Sequence, residues 1–285
     1  MSPVPRLIVL NLDAELEWAG VRAAASSERA ARWAAQVTPF WARTDRLWSG
    51  GSDALPGAAG YAWGSTPKAL QALQRAGATP VGCAPAEIAA RANHRGFAAP
   101  FASGLPRAGF ARSTGEVRRV LDAALPGESW WAKQAWSWAA RGRRVFAPRS
   151  LQPADEAFLA KAIANGGVQL EPRVELLEEW ALHGWIDDGG GVRFGTWTRQ
   201  TIDDHGQWCA SCPVPEGPGG ERLTSEKTAE RLATALLEID YRGPFGVDGF
   251  LYRDATGAPV WRFAGDVNAR FTMGWHSGGL GLPAR

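Results

Sequence analysis

The sequence has few cysteines and no long apolar stretch. Its three cysteines, Cys83, Cys209 and Cys212, are too few for the disulfide framework of a small secreted protein. No stretch approaches the roughly 20 apolar residues that a membrane span needs. Residues 1–10 also lack the basic start and the cleavage site of a signal peptide. We therefore predict a cytoplasmic protein with no membrane partner.

An excess of charge of one sign is also lacking. The 285 residues include 31 Lys and Arg and 29 Asp and Glu, which gives a net charge of +2. So small a charge argues against a nucleic-acid partner, which usually requires a strongly basic surface. Basic residues cluster only locally, at 91–95 and 141–144. Such short clusters suit a small anion better than a polyanion.

Tryptophan, by contrast, is abundant, with 15 residues in a chain that is 45% hydrophobic. This composition allows a sizeable core in one or two structural domains. Tryptophans such as Trp130, Trp131, Trp136 and Trp138 could stack against a ligand. For any single one, packing in the core or at an interface is the simpler interpretation.

The pattern of apolar residues predicts a mixed α and β protein. Residues 6–11 form a short apolar run typical of a buried strand. A helix is predicted after Thr66, because Pro67 suits its first turn, and a strand follows at 79–81. Further helices are predicted at 27–35, 113–124, 155–164 and 225–239, and further strands at 130–133, 144–146, 168–172, 192–199, 245–252 and 260–270.

The last two predicted strands carry an unusual set of polar residues. Asp266, Asn268 and Arg270 are two residues apart, so a strand places them on one face. Asp248 lies on the preceding strand, its expected antiparallel partner. Two carboxylates this close repel unless a cation lies between them, and Mg2+ is the natural choice, with Mn2+ as an alternative. The other interpretation is that both aspartates cap strand ends or pair with Arg262 and Arg270.

These two segments, residues 246–250 and 265–270, resemble the signature of the ATP-grasp superfamily. In that family two neighbouring strands hold magnesium, and the D-alanine–D-alanine ligases are familiar members. The resemblance covers roughly residues 88–276 and includes further motifs in the family's order. It implies that Asp248, Asp266 and Asn268 are the metal ligands.

Several upstream motifs resemble the nucleotide-binding parts of the same family. Residues 171–174 look like the hinge that contacts adenine, and Glu178 stands where the family binds the ribose hydroxyls. Lys133 resembles the strand lysine that reaches the α- and β-phosphates, and residues 134–144 correspond to the loop that covers them. The residues that the resemblance assigns to nucleotide binding are Arg95, Lys133, Arg141, Arg143, Glu171, Arg173, Val174 and Glu178.

The resemblance also implies a fold of mixed α+β and α/β class. Two α+β subdomains of an ATP-grasp fold, at 88–175 and 176–285, would clasp ATP. A small Rossmann-like α/β layer at 1–87 would precede them.

The resemblance further implies a carboxylate–amine ligase. A substrate carboxylate would attack the γ-phosphate of ATP, and an amine would displace phosphate from the resulting acyl phosphate. Lys133, Arg199 and Arg270 would stabilise the transferring phosphoryl group. The partners would be small-molecule or peptide carboxylates and amines, and a homodimer is compatible with the family. Two other functions stay open: nucleotide binding without ligase activity, and phosphotransfer on the same fold.

Two features depart from the family pattern. Asp266 stands where the family usually has glutamate, and its shorter side chain is less suited to bridging two metal ions. The covering loop is poor in glycine, so Arg141 and Arg143 would clamp phosphate instead.

Two further polar groups have simpler interpretations. The acidic segment 11–17 follows the first strand and could hold a substrate amine, but a solvated helix start is the expected structure. Cys209 and Cys212 have the spacing of half a zinc site, yet the chain has no second pair, so we expect both to be inert.

Overall fold

Three β-sheets organise the chain in the computed structural model. The structure describes residues 6–20, 34–35, 37–38, 45–48, 54–103, 105–137, 142–203 and 208–282. The helix predicted at 27–35 falls almost wholly outside these residues. None of the helices in the described part is both long enough and apolar enough to cross a membrane.

The first sheet is parallel and comes from the N-terminal residues, with its strands in the order Asp45–Leu47, Arg6–Val9, Ala59–Ala62 and Thr79–Pro80. Thr66 caps the helix Pro67–Arg75, because its Oγ accepts a hydrogen bond from Ala69 N at 3.2 Å. Leu7, Val9 and Leu73 pack between this helix and the sheet. The Rossmann-like character of this layer stays a prediction. Its elements are β1 Arg6–Val9, α1 Ala14–Trp18, β2 Asp45–Leu47, β3 Ala59–Ala62, α2 Pro67–Arg75 and β4 Thr79–Pro80.

The second sheet is small and antiparallel, with its strands in the order Gly109–Ala111, Val168–Pro172, Trp130–Gln134 and Arg143–Phe146. Two helices cover one face, and Val117, Trp130, Leu159 and Leu170 form the core between them and the sheet. Ser113 caps the first of these helices by accepting a hydrogen bond from Glu116 N. The elements from Ala86 to Pro172 are α3 Ala86–Ala92, α4 Arg95–Ala98, β5 Gly109–Ala111, α5 Thr114–Asp122, β6 Trp130–Gln134, β7 Arg143–Phe146, α6 Pro153–Ala164 and β8 Val168–Pro172.

The third sheet is the largest, with its strands in the order Trp208–Pro213, Thr198–Ile202, Glu175–Ile186, Gly243–Arg253 and Pro259–Asn268. The short strand Val192–Phe194 also pairs with Glu175–Ile186. The long helix Arg222–Glu238 covers one face, and its Leu232 and Leu236 pack there against Val247 and Phe263. Its elements are β9 Glu175–Ile186, β10 Val192–Phe194, β11 Thr198–Ile202, β12 Trp208–Pro213, α7 Arg222–Glu238, β13 Gly243–Arg253 and β14 Pro259–Asn268.

The structure corrects the strand predictions in this third sheet. The strand predicted at 192–199 is two strands, β10 and β11, which pair with the same edge of β9 and are separated by residues 195–197, where Thr196 N–H bonds to Gly278 O instead of to β9. The long strand β9 and the edge strand β12 were not predicted. The domain boundaries after residues 87 and 175 stay predictions; α3 and α4 contribute Ala89 and Ala98 to the core of the third sheet.

Candidate functional site

A cavity of about 610 Å3 lies between the second and third sheets. Strands β6, β7 and β8 form one wall, and strands β9, β11, β13 and β14 form the other. This volume is within the range of small-molecule binding sites. The carboxylates, cations and aromatic residues of both walls decide what it can bind.

Two aspartates face each other on the wall formed by the third sheet. Asp248 of β13 and Asp266 of β14 are direct cross-strand partners, so their side chains project from the same face. Burial, together with the negative charges of Asp266 and Glu179, raises the pKa of Asp248 to about 7. The sequence prediction that these carboxylates lie together is therefore seen in the register of the two strands.

The acidic pair fits a magnesium ion by its donor chemistry. Carboxylate oxygens are hard ligands, and Mg2+ commonly uses one or two carboxylates together with phosphate oxygens and water. The raised pKa of Asp248 also indicates an uncompensated negative charge that a cation would relieve. In the part of the chain that the structure describes, no three His, Cys, Asp or Glu residues are grouped as metal ligands. The two carboxylates leave most of the coordination positions of Mg2+ to other oxygen ligands, such as phosphate and water.

Asn268 lies beside this pair, but its oxygen is turned away from it. Its Nδ2 donates to Asp248 Oδ2 at 2.9 Å, whereas its Oδ1 accepts from Arg270 Nη2 at 2.9 Å. A second amide, from Gln200, donates to Asp248 Oδ1 at 3.3 Å. The role of Asn268 as a metal ligand stays a prediction, since the observed contacts make it a donor to Asp248.

Arg270 is held by the N-terminal layer. Its guanidinium pairs with Glu15 of α1 at 2.5 Å, and Nη1 donates to Phe271 O at 2.8 Å. Glu15 is only 5% exposed, so the expectation of a solvated helix start is wrong for this residue. The physical reason is the ion pair, which offsets the cost of burying the carboxylate. Arg270 therefore reaches the acidic pair through Asn268 and not directly.

Asp266 is paired with Arg95, which the sequence assigned to the nucleotide. Arg95 Nη2 donates to Asp266 Oδ2 at 2.6 Å, and Nη1 donates to Gln134 O and Ser137 Oγ. Asp266 thus pairs with a different arginine from the two considered in the sequence analysis, Arg262 and Arg270. Arg95 therefore lies next to the proposed metal site and contacts Gln134, the first residue of the segment predicted to cover the phosphates.

Lys133 of β6 belongs to a buried charge cluster. It pairs with Glu171 of β8, which also pairs with Arg262 of β14 at 3.0 Å. Burial alone would raise the pKa of Glu171, but Lys133 and Arg262 outweigh it and hold the pKa below its ordinary value. Arg262 is 1% exposed and links the two sheets across the back of the cavity. Lys133 lines the cavity and is the cation of this cluster that a phosphate can reach.

Glu178 and Arg199 lie outside the lining of the large cavity. They pair with each other at 3.4 Å, and Glu178 also accepts from Trp180 Nε1, whose ring packs on the α7 side of the sheet. Their neighbours Glu179 and Gln200 line the cavity instead. Because alternate residues of a strand face opposite sides, an assignment that is one residue off selects the wrong face. The structure therefore does not bring Glu178 and Arg199 to the cavity, and Glu179 is the acidic residue that the sequence analysis missed.

Glu179 could have been identified if β9 had been recognised, because it is two residues from Ala181, the cross-strand neighbour of Asp248, and so shares its face. Burial raises the pKa of Glu179, while Lys133 and Arg143 partly offset this effect. Glu179 thus lies near Lys133 and Arg143, two of the basic residues that the sequence analysis assigned to the nucleotide.

The cavity mouth has an aromatic and basic character. Trp131 of β6 lies in the lining, with the Arg143 guanidinium 4.7 Å and the Arg173 guanidinium 5.9 Å from its ring centre. Val174 and Pro172 form the adjoining hinge between β8 and β9. Arg141, predicted to clamp phosphate, lies outside the described residues.

Cys209 and Cys212 are both exposed on β12. The register of β12 against β11 shifts between Trp208 and Ala210, so Cys209 lies at a bulge, and the expectation that both thiols are inert stays a prediction.

No protein-family model and no curated protein sequence matches the chain. Solved structures do match. An N5-carboxyaminoimidazole synthetase from Staphylococcus aureus, complexed with ADP, has a TM-score of 0.53 at 10% identity, over 94% of this chain and 71% of that one. D-alanyl-alanine synthetase A from Vibrio cholerae has a TM-score of 0.53 at 12% identity, over 94% and 89%. A biotin carboxylase from Campylobacter jejuni has a TM-score of 0.56 at 13% identity, over 99% and 72%.

These structures are proteins of the ATP-grasp fold, and this chain has that fold. At such low identity the likeness concerns the fold alone. Activity and substrates have to be argued from the site.

Proposed function

We propose that this protein is an ATP- and magnesium-dependent ligase that joins a carboxylate to an amine. One observation carries the proposal: the cavity between two sheets has paired carboxylates, Asp248 and Asp266, on one wall and Lys133 on the other. The fold adds support, since it is shared with two synthetases, one of them complexed with ADP.

The nucleotide would lie along the cavity with its base near the hinge. The backbone near Arg173 and Val174 would contact adenine, and Trp131 offers a ring for stacking. A carboxylate on β9 would bind the ribose hydroxyls. The resemblance assigns this role to Glu178, whereas position in the cavity favours Glu179. To contact a phosphate, Lys133 would have to break its ion pair with Glu171 or bind Glu171 and the phosphate together.

The resemblance assigns the metal to Asp248, Asp266 and Asn268, and the position of the acidic pair in the cavity supports a metal at this place. Mg2+, or Mn2+ in its place, would supply positive charge against the phosphate oxygens. The chain supplies further positive charge from Lys133 and Arg143, both of which line the cavity. Charge of this kind stabilises the transferring phosphoryl group more strongly in a partly water-excluded site than in bulk solvent.

The reaction would proceed in two steps. A substrate carboxylate oxygen attacks the γ-phosphorus of ATP and the bond to the β-phosphate oxygen breaks, which gives an acyl phosphate and ADP. The amine nitrogen then attacks the acyl carbon, phosphate leaves, and the amine loses a proton as the amide forms. Arg270, fixed by Glu15 next to the acidic pair, is placed to orient the carboxylate or acyl phosphate. Arg199 is less well placed, because it pairs with Glu178 outside the cavity.

A second candidate function is nucleotide binding without ligation. One observation favours it: Asp266 and Lys133, both needed for chemistry, already have ion-pair partners in Arg95 and Glu171. A third is phosphotransfer, which would use the same acidic pair and release a stable phosphorylated product.

Trapping with hydroxylamine separates the three functions. The protein is incubated with Mg2+, ATP, hydroxylamine and a panel of carboxylates that includes amino acids and peptides. A ligase produces ADP, phosphate and a hydroxamate, which iron(III) reveals by colour. ADP with a stable phosphorylated product identifies a phosphotransferase. Nucleotide binding with no ADP over the whole panel supports the second candidate and contradicts the ligase.

The proposal also includes a cytoplasmic homodimer, as the family resemblance suggests. Light scattering after size-exclusion chromatography tests the assembly, and a molar mass of one chain contradicts it.

A further inference from the structure

Arg95 is fixed beside the acidic pair by contacts that do not involve the pair itself. Its backbone N–H donates to Ala135 O at 3.0 Å, at the start of α4. Its Nη1 donates to Gln134 O at 3.1 Å and to Ser137 Oγ at 2.6 Å. The side chain is 11% exposed. The guanidinium therefore has a defined position whether or not Asp266 is available.

Asp266 and Asp248 differ in the partners that surround them. Asp266 faces the guanidinium of Arg95, with an oxygen 2.6 Å from Nη2. Asp248 receives only amide hydrogen bonds, from Asn268 and Gln200. One carboxylate of the pair thus has a fixed positive partner, and the other has none among these contacts.

A divalent ion next to Asp266 would have to approach this fixed guanidinium. Like charges at contact distance in a partly buried site repel strongly, because little solvent screens them. Asp266 is also one methylene shorter than glutamate, which limits its reach beyond Arg95. At Asp248 the described hydrogen bonds come from the amides of Asn268 and Gln200, and Arg270 acts on this carboxylate through Asn268 and not by direct contact.

We infer that the site holds one divalent cation per nucleotide, on Asp248, and that Arg95 occupies the place of a second cation on Asp266. The inference rests on the proposed function, because it assumes that a metal–nucleotide complex binds in this cavity. It specifies the number of metal ions and names the residue that sets it. Arg95 acts here as a positioning residue and a fixed charge.

Equilibrium dialysis tests the inference without using activity. The full chain is dialysed against Mn2+ and a non-hydrolysable ATP analogue. Manganese is counted by elemental analysis and nucleotide by absorbance, and the amounts on the protein-free side are subtracted. We expect one Mn2+ per bound nucleotide in the wild type. Two Mn2+ per nucleotide would overturn the inference and leave the proposed function intact.

Arg95→Met removes the charge and keeps much of the side-chain length, and we expect it to raise the count from one to two. A count of one in this variant would show that Arg95 does not set the number. Arg91→Met, at an exposed position of α3, is the matched control and keeps the wild-type count. If Arg95→Met does not fold, the wild-type count alone decides. Absence of bound nucleotide in the wild type would contradict both the proposed function and this inference.

Discussion

Asn268 donates its side-chain amide to Asp248 across 2.9 Å, so the most buried carboxylate of the acidic pair is oriented by a neutral donor. An amide orients a carboxylate without neutralising it. Burial and the charges of Asp266 and Glu179 raise the pKa of Asp248 to about 7, so the charged form that a metal would bind is disfavoured in the ligand-free fold. Two opposite consequences follow for stability and for binding.

Replacing Asp248 by Asn is expected to stabilise the nucleotide-free protein slightly and to abolish magnesium-dependent binding. The substitution removes a carboxylate whose charge is disfavoured by burial and by its neighbours, and it keeps the side-chain shape. Melting curves with and without Mg2+ and ATP measure both effects. Asp122→Asn, at an exposed position on α5, is the control and should change neither. An unchanged magnesium-dependent shift in Asp248→Asn would contradict the metal assignment.

Neighbouring glutamates on β9 are expected to differ in their effect on nucleotide affinity. Glu179 lines the cavity and Glu178 faces the α7 side of the sheet. Glu179→Ala should weaken binding about tenfold. It removes a hydrogen bond to a charged group, which contributes about 1.5–3 kcal/mol, and part of this loss is offset because the carboxylate no longer repels the phosphates. Glu178→Ala is the matched control and should leave affinity within about twofold. Isothermal titration calorimetry measures both, and the reverse order would restore Glu178 as the ribose ligand.

The buried cluster behind Lys133 is expected to be essential for stability. Glu171→Leu leaves Arg262 buried without its carboxylate partner, which should cost about 3–5 kcal/mol in the free energy of unfolding. Urea denaturation measures this. Glu175→Gln breaks an exposed ion pair with Arg253 and should cost less than about 1 kcal/mol.

The double variant Glu171→Leu/Arg262→Met should recover much of the loss, because it removes the uncompensated guanidinium. A double variant no more stable than Glu171→Leu would show that packing, and not the buried charge, causes the loss.

His183 is expected to make the fold less stable in mild acid. Its side chain is buried, its Nδ1 has no hydrogen-bond partner among the described residues, and burial lowers its pKa from 6.5 to about 4. Between these values the unfolded chain binds a proton that the folded chain does not, so stability falls as pH decreases from 6.5 towards 4. The loss at pH 5 relative to pH 8 should be about 2 kcal/mol.

Urea denaturation at the two pH values measures this loss. His183→Asn should reduce the pH dependence by the same amount, and His276→Asn, at an exposed position, should not. Equal slopes in wild type and His183→Asn would contradict the assignment to this imidazole.

Much of the fold was predictable because its signals are local. Thr66 and Ser113 cap their helices as predicted, since a hydroxyl followed by a helical pattern is a local signal. Strand β9 was missed because Glu178 was interpreted only as a ribose ligand that follows the hinge at 171–174, and because the apolar run that follows is buried on both faces and does not alternate.

A site residue was predictable only where the sequence showed which face of its strand the residue occupies. Asp248 and Asp266 were placed on one face because both strands were recognised, and the register confirms their pairing. The face of Glu178 was not predictable because β9 was not recognised, and the face of Arg199 was not predictable because residues 195–197 interrupt the predicted strand 192–199. The Arg95–Asp266 and Arg270–Glu15 pairs join residues that are 171 and 255 positions apart, and no local pattern predicts such contacts.

The central claim is that ATP binds in this cavity together with a divalent metal. A thermal shift assay with ATP plus Mg2+, ATP alone and GTP plus Mg2+ tests it most directly. At a hundred times the dissociation constant, binding should stabilise the fold by about 2.7 kcal/mol. We expect a shift that requires both ATP and Mg2+ and that is lost in Asp248→Asn. No shift with millimolar nucleotide and Mg2+ would contradict the account.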